Sequence, residues 1–135
     1  MTAITTRPVR HGTDSLLRFA LRADATLCGA LGLLVCLTAD PLSHLTGLSP
    51  TSEWIAGAAL VAYGAGLYLA AGVSDVRRVG VGVLVGNIAF ALAVAAVLVA
   101  GWLPLTTFGV ASTVVFTAAT VALAYAQYLG VRRLT

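Results

Sequence analysis

A chain of 135 residues with 59% hydrophobic and only 10% charged residues, and a mean hydropathy of +0.97, is far more apolar than a soluble domain, where charged residues make up about 25%. The length suits one domain, and four apolar stretches fill most of it, which excludes a separate soluble domain. The net charge of +3 and a pI near 9.3 do not point to nucleic acid, because the basic residues are spread over membrane-flanking places instead of one patch.

In chain order, residues 1–13 read as a disordered cytoplasmic tail, and residues 14–135 as a four-helix transmembrane domain. Crossing a hydrocarbon core takes about 20 apolar residues. The first span, about residues 16–39, has an uncharged core only at residues 25–39, about 22 Å of helix. It must borrow from a flank that admits Arg18, Arg22 and Asp24, whose arginines can snorkel to the headgroups. Leu37-Thr38-Ala39 is a poor cleavage site, so this span reads as retained, not as a signal peptide. Asp40-Pro41 is expected to end it. Ser49 as N-cap, Pro50 at the first helical position and Glu53 in the first turn open the second span, about residues 54–73. A tight polar turn at residues 74–78 leads to the third span, about 79–100, and Pro104 is expected to open the fourth, about 103–129. The fold class is therefore all-α, a polytopic four-helix transmembrane bundle of two hairpins.

Orientation follows from the arginines. Arg7, Arg10, Arg18 and Arg22 precede the first span, Arg77 and Arg78 lie in the middle turn, and Arg132 and Arg133 close the chain. The two other loops hold no basic residue but carry Asp40 and Glu53, and Trp54 and Trp102 lie at that edge. Positive charge stays inside, so both termini are expected to be cytoplasmic in a multi-pass cell-membrane protein.

Helices in lipid associate through small residues that let backbones approach. Ala58, Ala62, Gly66 and Ala70, with Ser74, form such a ladder on the second span. Gly82 and Gly86 form one on the third, and Ala118, Ala122 and Ala126, with Gly130, one on the fourth. They are expected to be packing seams, within the chain or between subunits, and they make a protein partner or self-association the expected contact besides the lipid bilayer.

No cofactor or metal is expected. The histidines, His11 and His44, lie in the tail and a loop, away from the facing helices that haem ligation needs. Cys28 and Cys36 are about 12 Å apart along one helix and cannot bridge. No phosphate loop or catalytic triad is present, so no enzyme is expected. Among the polar groups in the spans, Asp24 stands out. It lies about 200° around the helix from Arg22, on the face of Leu17, Leu21, Cys28 and Leu31 that should point into the bundle. An ionisable group there is a functional candidate, titrating with a transported cation or proton. As a structural anchor at the cytoplasmic rim it would instead pair with Arg77 or Arg78, or accept from Tyr125 or Tyr128. Tyr63 and Asn87, each near the middle of its span, are a second candidate pair, expected to hydrogen-bond to each other.

The runs Leu17-Arg18-Phe19-Ala20-Leu21-Arg22-Ala23-Asp24-Ala25, Gly101-Trp102-Leu103-Pro104-Leu105-Thr106 and Gln127-Tyr128-Leu129-Gly130-Val131-Arg132-Arg133 resemble uncharacterised four-helix inner-membrane proteins of bacteria, particularly actinobacteria. That resemblance implies a fold and no activity. The expected function is an accessory subunit of a membrane complex or a homo-oligomeric membrane component. The alternative is a small transporter or lipid-handling protein using Asp24.

Overall fold

The computed structural model describes residues 14–134; the expected tail at residues 1–13 lies outside them. The described chain is all-helical. Its elements are α1 (Ser15–Leu37), α2 (Ala39–Thr46), α3 (Pro50–Ala70), α4 (Val76–Ala100) and α5 (Thr107–Arg132). All but α2 are long and apolar enough to cross a membrane, by length and composition.

Local chemistry explains most boundaries. Ser49 caps α3 by accepting from the Ser52 amide, with Pro50 and Glu53 in the first turn as expected. Asp75 caps α4 through the Arg78 amide, so Arg77 and Arg78 belong to the first turn of a helix and not to a loop. Two expectations are corrected here. The first long helix ends at Leu37, and Asp40 and Pro41 lie in the first turn of the short α2, where a missing proline N–H costs nothing. Pro104 does not open the last helix: Thr106 caps it through the Gly109 amide, leaving Pro104 in the connection.

Two ends of the bundle are distinguishable by their contacts. At one end, Arg18 donates from Nη1 to the carbonyls of Ala71 and Val73 at 2.7 and 2.9 Å, fastening the start of α1 to the end of α3, while its Nε holds Asp14 at 2.9 Å. Leu17 there packs against Gly80 at the start of α4 and Gly130 at the end of α5. The apolar core of Leu17, Leu21, Ala25, Leu67, Ala71, Val76 and Val131 sits at this arginine-rich end. At the other end, Thr106 donates its amide to Thr46 and its hydroxyl to the Leu45 carbonyl, tying α5 to α2. Thr46 in turn donates to buried Glu53. Gly47 closes α2 with φ of 88°, a left-handed turn in which a side chain would also strike the Pro104 carbonyl.

The packing is uneven. α1 lies along α3 over most of its length, α5 packs on both α1 and α4, and α3 and α4 make at most marginal contact although they are consecutive. The α1–α3 seam is built on glycine. A methyl group at Gly64 would lie 2.6 Å from the Ala25 carbonyl, and one at Gly57 would lie 2.6 Å from that of Gly32. Gly57, Gly64 and Ala71 recur every seventh residue, the spacing that stays on one face when helices supercoil left-handedly.

The expected ladders fall elsewhere. Ala62, Gly66, Ala118 and Ala122 are exposed, Ala58, Ala70 and Ala126 half-buried, and Gly66, Gly82 and Gly86 have open space where a side chain would be. Of the ladder residues, Gly130 makes a close interhelical approach. The physical reason is rotation: the four-residue ladder on α3 drifts round to the face opposite the seventh-residue seam.

Candidate functional site

Asp24 occupies the tenth position of α1 (Ser15–Leu37), about 13 Å along the axis from Ser15. Its side chain turns inward because Leu17, Leu21 and Cys28 share its face, and it is buried with 3% of its surface exposed. Two amides meet it. Asn87, near the midpoint of α4, donates Nδ2 to Asp24 Oδ2 at 3.1 Å, and Gln127, near the end of α5, donates Nε2 to the same oxygen at 2.9 Å. Asn87 Nδ2 also donates to Gln127 Oε1 at 3.0 Å, which closes a three-residue ring of hydrogen bonds. The other carboxylate oxygen, Oδ1, receives the weak S–H donor of Cys28 at 3.5 Å. Either amide turned around would put its oxygen against the carboxylate, so the network fixes both side chains.

The partners of Asp24 differ from those expected: they are Asn87, Gln127 and Cys28, not Arg77, Arg78, Tyr125 or Tyr128. The expected Tyr63 to Asn87 bond is replaced by the two bonds of Asn87 to the α1 and α5 side chains. The nearby arginines are engaged elsewhere: Arg18 on Asp14 and two carbonyls, and Arg22 over the Tyr68 ring at 5.6 Å. Among the described residues, then, every hydrogen-bond partner of Asp24 is a neutral group.

The energetics allow this. Burying a carboxylate away from water is costly unless hydrogen bonds replace its hydration. Hydrogen bonds to a charged group contribute about 1.5 to 3 kcal/mol each, so two amide donors offset that cost. They solvate the carboxylate but do not neutralise it.

Asp24, Cys28 and Asn87 form the floor of a cavity of about 680 Å³, within the range of about 300 to 1,000 Å³ typical of ligand pockets, with Gln127 fully buried behind them. Because α3 and α4 do not pack together, the cavity opens between them. Ala59 and the half-exposed Tyr63 edge it on α3; Gly82, Gly86 and Phe90 edge it on α4. Phe90 meets Phe116 of α5 edge-to-face with ring centroids 6.0 Å apart, and both line the cavity. The structure thus brings Asp24, Tyr63 and Asn87 to one cavity, and Gly82 and Gly86 to its mouth, where they leave space instead of filling it.

Sequence reasoning missed Gln127. A signal was present, since Thr113, Thr120 and Gln127 recur every seventh residue on α5, and the last two are buried on the face turned to α1. Cys28, expected on the face of Asp24, contacts the carboxylate directly. Compared with protein-family models, curated proteins and solved structures, the chain matches none of them.

Proposed function

We propose that this chain is a multi-pass cell-membrane protein of two transmembrane hairpins, α1 with α3 and α4 with α5, that takes a small amphipathic molecule from the bilayer into the cleft between α3 and α4. It belongs to the transporter or lipid-handling class, and the ligand is bound and released without covalent chemistry. Arg18, Arg77, Arg78, Arg132 and Arg133 gathered at one end and Trp54 and Trp102 at the other favour cytoplasmic termini. Exposed Leu69, Leu92, Val99 and Val115 around the long helices suit a lipid surround.

One observation carries the functional part: a buried carboxylate, held by two amides from other helices, at the floor of a cavity that is apolar at its walls and open at its side. A purely structural polar cluster would be expected to have no cavity beside it, whereas Asp24 and Asn87, themselves buried, line one whose mouth Gly82 and Gly86 leave open. That favours ligand handling over the accessory-subunit role.

The test is photolabelling of the protein in lipid nanodiscs with a long-chain alcohol carrying a diazirine. Label is expected on Tyr63, Phe90 and Phe116, and Gly86→Phe, which fills open space at the mouth, should reduce it several-fold while Ala118→Phe on the outer face leaves it unchanged. Label spread evenly over the exposed apolar positions, and indifferent to Gly86→Phe, would sink the reading.

A further inference from the structure

Resting on that reading of the cleft, we infer that the ligand's head group is a protonated amine, which pairs with Asp24 Oδ1 while its alkyl chain lies along the apolar wall formed by Ala59, Phe90 and Phe116. Three observations lead there. The first is charge. Among the described residues, every hydrogen-bond partner of the Asp24 carboxylate is neutral: Cys28 on its own helix, Asn87 on α4 and Gln127 on α5, with Tyr63 of α3 on the same cavity. A charge solvated by dipoles alone in a low-dielectric surround attracts a cation more strongly than any other ligand group.

The second is the division of labour between the two carboxylate oxygens. Oδ2 accepts both amides, whereas Oδ1 accepts the thiol alone, at 3.5 Å. A carboxylate offers about four lone-pair sites, so the strong acceptor capacity that remains is on Oδ1. A head group able to donate a charge-assisted hydrogen bond fits there; an ether, a carbonyl or a phosphate, which bring further acceptors, would meet repulsion. The third is the apolar wall. A bare inorganic cation would lose its hydration and gain little from Phe90 and Phe116, whereas an amine with a hydrocarbon chain buries that chain against them.

Four photoprobes of equal chain length, ending in a primary amine, its N-acetyl derivative, an alcohol and a carboxylate, test this in nanodiscs of zwitterionic lipid. The amine is expected to label the cleft at concentrations about tenfold below those of the alcohol and the N-acetyl derivative, about 1.4 kcal/mol of preference, and the carboxylate least well. Asp24→Asn should abolish the preference for the amine and leave alcohol labelling in place, which also reports that the variant is folded. An amine that labels no better than the alcohol, or that keeps its preference in Asp24→Asn, overturns the inference while the cleft stands as a ligand site. If no probe labels the cleft, both fall together. Should Asp24→Asn lose alcohol labelling too, the wild-type protein decides: bound amine should protect Asp24 from a hydrophobic carbodiimide where bound alcohol does not, and equal protection by the two counts against the amine.

Discussion

The two faces of α3 are packed in opposite ways. Toward α1 it presents Gly57, Gly64 and Leu67, and the backbones approach so closely that a methyl group at either glycine would strike a carbonyl of α1. Toward α4 it presents Ala59 and Tyr63, and among the described residues no helix fills the space beyond them. Composition does not separate these faces, since both are rich in small residues. What separates them is whether a partner backbone occupies the space that the small side chain leaves. The same residue type therefore joins two helices on one face and keeps a cleft open on the other.

That contrast can be broken directly. Gly64→Val places a branched Cβ against the Ala25 carbonyl and the Gly29 amide. Overpacking of this kind costs about 1 to 3 kcal/mol, and unfolding titrations in mixed micelles should show a loss at the upper end of that range; an unchanged midpoint would mean that the α1–α3 seam is not where stability resides. Asn87→Leu probes the floor of the open side. It removes one of two amide donors from a buried carboxylate, with an expected loss of about 1.5 to 3 kcal/mol. Combined with Gln127→Leu it should give a coupling energy of about 0.6 to 1.7 kcal/mol in a double-mutant cycle. Strict additivity would show that the two amides do not act through Asp24. The smallest effect is expected at Gly66→Ala, two residues from the seam glycine but with open space around it. There a methyl group meets nothing and the helix gains propensity, so the midpoint should stay or rise by up to about 1 kcal/mol, opposite in sign to the change at Gly64.

How much of this was legible in the sequence depended on the range of the interaction. Long apolar runs and Ser49-Pro50 located the helices well, because hydropathy and capping act within a few residues. The short α2 was hidden because Asp40-Pro41 reads equally as a stop and as a first turn. The α1–α3 glycine seam was not read from the sequence because a four-residue ladder looks stronger on paper than Gly57 and Gly64, which only a supercoiled neighbour brings into line. Asp24 was correctly singled out as facing inward, since its helix face follows from periodicity alone. Its partners were not, because whether Asn87 and Gln127 lie at the same depth depends on how three helices slide against one another, which no single-helix pattern records.

Arg18 has a mechanical consequence. Its grip on the Ala71 and Val73 carbonyls pins the last turn of α3 to the first turn of α1, so the start of the connection to α4 is a fixed point. α4 leaves from that point as a lever of 25 residues, about 37 Å long. A tilt of about 5° at the pivot moves its far end by about 3 Å on the same rise per residue, while Val76 and Gly80 next to the pivot hardly shift. The cleft can thus vary most in width where it is farthest from the arginines, while Asn87, near the midpoint of α4, moves about half as far as the tip.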